Sequence, residues 1–150
     1  MDQRYLIGAI GLTLLLSASP SVAQEAPSRF AETLESRRII VGTTSGAAEL
    51  ALAAHLQAIG AVLYKAYWCP HCYAQAQLFG EAAFAQLSQV ECAEDGVNAQ
   101  PQLCQEEMIR AYPTWEINGQ QYRGVQSLEA LAELSNYSGS REFTNTSPSP

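Results

Sequence analysis

Two cysteines separated by Pro70 and His71 sit in the stretch AYWCPHCYAQ, residues 66–75, where one residue pattern ends and another begins. Before them, AVLYKAYW alternates and is rich in aromatic and branched side chains, which reads as a strand ending just before Cys69. After them, from Pro70 to about Leu87, the composition turns helical, with Leu78, Phe79, Ala82, Ala83 and Leu87 on one face. A strand that passes into a helix through Cys-x-x-Cys places Cys69 at the helix N-terminus. Unpaired N–H groups and the helix dipole favour negative charge there, the thiolate form that attacks a disulfide or leaves from one. Pro70 suits the first helical position, where a missing N–H costs nothing. His71 can add a positive charge or a donor beside the sulfur, and a favoured thiolate makes the disulfide more oxidising. Cys72, one turn into the helix and facing the core, is then the resolving thiol.

Other uses of the pair fit less well. Zinc ribbons join two Cys-x-x-Cys knuckles about 15–20 residues apart. Cys92 follows Cys72 after nineteen residues, but Cys104 follows Cys92 only after eleven more, so no second knuckle forms. His55 and His71 complete no familiar ligand set, and no metal site is assigned. A purely structural Cys69–Cys72 bridge closes too short a loop to stabilise much.

The N-terminus bears on how all four cysteines are read. MDQRYLIGAIGLTLLLSASPSVAQEA carries Arg4, an apolar run from Tyr5 to Leu16, and small residues at Ser21 and Ala23. This is the pattern of a signal peptide spanning residues 1–23, and its apolar run is shorter than the roughly 20 residues a membrane span needs. An uncleaved anchor is the alternative. Export puts the chain where thiols are not kept reduced, in a periplasm or, in a photosynthetic source, a thylakoid lumen. The formal charge of −7, with no block of basic residues, argues against nucleic-acid binding.

The remaining chain divides into residues 24–44, a linker or loosely docked arm, a domain over 45–137, and a patternless tail over 138–150 expected to be disordered. Within the domain, SGAAELALAAHLQAIG reads as a helix capped by Ser45 and stopped by Gly60. SQVEC is a short strand, and PQLCQEEMIRA a helix opening on Pro101. TWEI and QYRG form a hairpin around Asn118-Gly119, and a last helix begins at Ser127. The order implies an α/β fold with a mixed central sheet flanked by helices.

With AYPTW added to the dithiol and its strand, the chain resembles thioredoxin-fold proteins. More narrowly it is similar to the thioredoxin-like domain fused to bacterial vitamin K epoxide reductase (VKOR) homologues. The resemblance covers roughly residues 43–137, including YWCPHC, VEC, LCQEE and YPTWEING. Cys-Pro-His-Cys also occurs in the DsbA-like oxidants. The resemblance implies an exported thiol–disulfide oxidoreductase without a bound cofactor, which oxidises substrate protein thiols and passes electrons to a membrane partner linked to quinone. Cys69 matches the exposed nucleophile and Cys72 the resolving thiol. Pro113 matches the proline that is cis in this fold, leaving the Tyr112 backbone to pair with an extended substrate. A reductase or isomerase of the same fold is the alternative direction, and a metal-binding module using the four cysteines is the alternative class.

Two departures stand out. The buried acid that often lies six positions before the first cysteine is replaced by Leu63, leaving Lys65 and Glu116 as weak candidates for proton transfer. The only apolar run is the N-terminal one, so the quinone-linked VKOR-like partner is expected to be a separate chain. Cys92 and Cys104 read as a structural disulfide, worth on the order of 3 kcal/mol by chain entropy; a second redox pair exchanging with Cys72, free thiols and metal are the other readings. Trp68 is either a peptide-docking rim or packing, Tyr67 flanks the site, Trp115 is core, and His55 is structural or exposed.

Overall fold

A computed structural model describes residues 36–145. The expected signal peptide, the first part of the arm and the last five residues of the tail lie outside the described residues. The elements are α1 (Ala47–Ala58), β1 (Val62–Lys65), α2 (Pro70–Phe79), α3 (Glu81–Gln86), β2 (Ser88–Glu91), α4 (Pro101–Glu106), β3 (Thr114–Ile117), β4 (Gln120–Arg123) and α5 (Leu128–Leu134). The sheet runs β2-β1-β3-β4, with β1 and β2 parallel and the other pairs antiparallel. This is the expected mixed sheet flanked by helices.

Strand alternation divides the core between the two faces. Leu63, Trp115 and Ile117 point to one face and pack with Leu52, Leu56, Phe79, Leu128 and Leu131 from α1, α2 and α5. Each such side chain contributes about 1.5–3 kcal/mol on burial. Val62, Tyr64 and Val90 point to the other face and pack with Leu103, Cys92 and Cys104. The hairpin turn uses positive φ at Asn118 (52°) and Gly119 (73°), as a tight primed turn requires. Ser127 caps α5, its Oγ accepting from Ala130 N at 3.1 Å.

Three expectations need correction. The helix read from Pro70 to Leu87 is two helices, broken at Gly80 with φ +77°. A Cβ there would lie 2.5 Å from the Thr44 and Ser45 backbone, so only glycine lets that segment cross the break. The break resets the helical phase, which is why Ala83 is buried while Ala82 is exposed. Ser45 does not cap α1, whose N-cap is Gly46. Its Oγ instead accepts from Ala83 N at 2.8 Å, satisfying the first turn of α3.

The third correction concerns the ends. Residues 138–145 are not a disordered tail: Phe143 packs on the core, and the Thr144 and Asn145 backbone N–H groups donate to Glu49 Oε1 at 2.6 and 2.9 Å. The arm from residue 39 is firmly docked, with Ile39 and Val41 against the core and Gly42 N donating to Gln77 Oε1 at 2.9 Å. Neither docking shows as hydrophobic periodicity, because polar side chains from distant elements hold both segments.

Candidate active site

β1 ends at Lys65, and Ala66, Tyr67 and Trp68 turn the chain into α2. Cys69 N donates to Ala66 O at 3.0 Å, closing that turn, and Cys69 becomes the N-cap residue with Pro70 following at the head of the helix. Its carbonyl accepts from Cys72 N and Tyr73 N at 3.0 and 3.2 Å. Both thiols are free. They form a small cluster with Ala66 and Ala93, closed by Ile39, Tyr67 and Tyr112.

Cys69 is not an exposed side chain, as the resemblance implied, because Tyr67, Tyr112 and the arm close over it. It keeps 5% of its surface, whereas Cys72 keeps none. The order of access therefore stands, Cys69 outside and Cys72 inside. Burial pushes the Cys72 thiol up to about 12, and its hydrogen bond and electrostatic contact with Cys69 act in the same direction. A hydrogen bond from the Ala66 backbone and the charge of Lys65 pull the other way. At neutral pH Cys72 is a neutral thiol.

Opposite the dithiol, the Tyr112–Pro113 bond is cis and Pro113 is fully buried. The Tyr112 carbonyl accepts from Cys69 Sγ at 3.4 Å. Trp68 is 57% exposed and meets Tyr112 edge-on, with ring centroids 6.1 Å apart, which forms an aromatic rim beside the sulfurs. Pro70 and His71 are exposed on the first turn of α2. Trp115 is fully buried in the core, and His55 bonds to Ser135 O at 2.9 Å.

Cys92 and Cys104 form a disulfide with Cα atoms 5.9 Å apart. Both half-cystines are buried on the sheet face opposite α2, beside Tyr64 and Tyr112. The bridge ties the end of β2 to α4 and removes these two sulfurs as metal ligands. Among the described residues, no group of three or more His, Cys, Asp or Glu is placed to hold a metal ion.

Of the two weak proton-transfer candidates, Glu116 is on the wrong face, accepting from Tyr64 OH at 3.2 Å. Lys65 lies on the face of Leu63 and bonds to Glu91 Oε2 at 2.7 Å. Glu91, on β2 and 4% exposed, also accepts from Tyr67 N and Ala93 N at 3.1 and 3.0 Å, so it anchors the backbone on both sides of the dithiol cluster. Sequence reasoning missed Glu91, because a single acid in the short strand SQVEC carries no local sign that it is buried and bonded. The signal was the parallel register, which pairs Lys65 with Glu91.

A dithiol at the head of a helix, facing a cis-proline loop where the two central strands of a mixed sheet end and begin, defines the thioredoxin class. Residues 49–137 match the thioredoxin family, and the chain belongs to it. It is 38% identical over 134 residues to the thiol-disulfide oxidoreductase LTO1 of Arabidopsis thaliana, an alignment covering 87% of this chain and 36% of that one. The chain therefore spans about a third of the length of that curated relative. Among the described residues, no helix is long and apolar enough to cross a membrane.

Proposed function

We propose that the chain is an exported thiol–disulfide oxidoreductase whose Cys69–Cys72 pair oxidises the thiols of substrate proteins. One observation carries the reading: the partly accessible Cys69 at the N-cap of α2, in contact with the Tyr112 carbonyl, with the fully buried Cys72 one turn behind it. In the oxidised protein a substrate thiolate attacks Cys69 Sγ, the Cys69–Cys72 bond breaks, and Cys72 leaves. A second substrate thiol then displaces Cys69, which releases the substrate as a disulfide and the protein as a dithiol. The electrons go on to a membrane VKOR-like partner coupled to quinone. The Tyr112–Pro113 backbone and the Trp68 ring supply the docking edge for an extended substrate, and Pro70 and His71 tune the pair toward oxidation.

A Cys72→Ser variant lacks the resolving thiol and is expected to hold substrate and partner as mixed disulfides through Cys69. Their mass-spectrometric identification from a detergent extract of the exported compartment and its membrane names both, and absence of any Cys69-linked adduct would sink the proposal. The reduction potential checks the direction. A value as low as about −270 mV, that of thioredoxin, would make the chain a reductase instead.

A further inference from the structure

From residue 37 to residue 45 the arm is neither helix nor strand, yet its burial alternates as in an extended chain. Arg37, Ile39, Val41, Thr43 and Ser45 are half-buried, while Arg38, Ile40, Gly42 and Thr44 are exposed. The path follows α2. Cys69, Tyr73 and Gln77 are spaced four apart, so they share one stripe of that helix, with the cysteine at its head. Tyr73 OH donates to Arg38 O at 3.3 Å, and Gln77 Nε2 to Ile40 O at 3.2 Å. Gly42 N donates to Gln77 Oε1 at 2.9 Å, and Thr43 Oγ1 to Gln77 O at 2.6 Å. At the dithiol end Arg37 Nη1 donates to Asp95 O at 3.0 Å, and Asp95 Oδ2 accepts from Tyr67 OH at 2.9 Å. Between these fastenings Ile39 packs on the cluster of Cys69, Cys72, Ala66 and Ala93.

We propose that residues 37–43 are a strap that closes the dithiol, with Ile39 as its seal, and that release of the strap admits reagents and partners to both sulfurs. This rests on the dithiol as the exchange site. Closed, the strap leaves Cys69 5% of its surface and Cys72 none, so the closed form is the slow form. Its fastenings to α2 and to Asp95 are side-chain hydrogen bonds, so it can lift while the helix and the sheet stay intact. Clefts of about 260 and 290 Å3 flank it toward α3 and the β2 edge, both lined by Arg38, Ile39, Phe84 and Ala85. The strap also precedes residues 49–137, the span of the family match, so it is an addition to the family's domain.

The test uses the reduced full chain and iodoacetamide. Each thiolate displaces iodide to form a thioether, read by mass spectrometry at Cys69 and Cys72 separately. Tyr73→Phe/Gln77→Ala removes three hydrogen bonds to the strap and alters neither cysteine. Each such bond is worth roughly two- to tenfold in an opening equilibrium, so labelling of both cysteines is expected to quicken at least about tenfold. Ile39→Ala keeps the fastenings but removes the seal, and its labelling is expected to quicken as well. Glu49→Gln loosens the segment after α5 instead and should label at the wild-type rate.

Urea below the unfolding transition separates strap release from loss of the whole fold. Release exposes little surface, so the labelling rate should barely change with urea, whereas global unfolding would give a rate that climbs with the full unfolding slope. Labelling of the double variant at the wild-type rate overturns the proposal, and so does a rate with that full slope. Exchange with a chromogenic aromatic disulfide is expected to quicken alongside labelling, and an exchange rate left at the wild-type value also overturns the proposal. No exchange in any form, with labelling still quickened, would instead sink the exchange reading of the site and leave the strap standing.

Discussion

Gln75 carries no charge and lies about one turn beyond Cys72, yet it sets how α2 is held. Fully buried, it accepts from Trp115 Nε1 and Gln126 N at 3.1 and 2.8 Å, while its Nε2 donates to Gln126 O at 3.0 Å. The dithiol helix is thus bonded to β3 and to the segment leading into α5. A Gln75→Leu substitution leaves two buried N–H groups without acceptors and is expected to cost about 2–4 kcal/mol. Urea unfolding checks it, as a lower midpoint at unchanged slope; an unchanged midpoint would count against the role. Nothing in YAQAQLF marks this glutamine, because helix surfaces are full of Gln. Only the partners Trp115 and Gln126, 40 and 51 residues away, make it structural. The cysteines were legible for the opposite reason: their chemistry depends on their position at the head of α2, which local patterns of strand and helix already specify.

At the scale of elements, local signals located β1, β2, the Asn118-Gly119 hairpin and the Ser127-capped helix. What they missed were the joins made by long-range polar contacts: the break at Gly80, the arm across it, and the segment after α5. Glu49 is the centre of the last of these. It is fully buried in the first turn of α1, and one oxygen accepts from Thr144 N, Thr144 Oγ1 and Asn145 N. Burial alone would raise its carboxyl, but hydrogen bonds from Asn145, from its own backbone and from Thr144 outweigh that and hold it below the ordinary value of 4.5. The folded carboxyl is therefore the stronger acid. Its contribution is present above pH 4.5 and is lost as the pH falls through the lower folded value. Glu49→Gln is expected to weaken this anchor by about 1–3 kcal/mol and to speed amide exchange at residues 144 and 145. Exchange there at the wild-type rate would argue against the anchor.

For the molecule as a whole, the redox state should change how stability responds to alkali. The Cys72 thiol lies near 12 in the fold, against an ordinary value of 9.0. The unfolded reduced chain therefore loses this proton first, so folding of the reduced protein weakens as the pH climbs from about 9 toward 12. The oxidised protein has no such proton. The Tyr64 hydroxyl, also raised to about 12 by burial and by Glu116, acts in both forms and cancels. The difference between the urea midpoints of the oxidised and reduced forms should widen toward the oxidised form across that window, and a constant difference would contradict the buried neutral thiol. The anchored ends have another consequence. Asn145 Nδ2 donates to Thr44 O at 2.7 Å, so the segment after α5 meets the inner end of the arm at one corner, where Thr44 also packs against Gly80. That corner is at the far end of α2 from Cys69, about 15 Å away for a ten-residue helix. From that corner the arm runs forward along α2 to Ile39 at the dithiol cluster, while the segment after α5 stays behind, so a longer polypeptide joined at both ends would grip the dithiol helix from its two opposite ends.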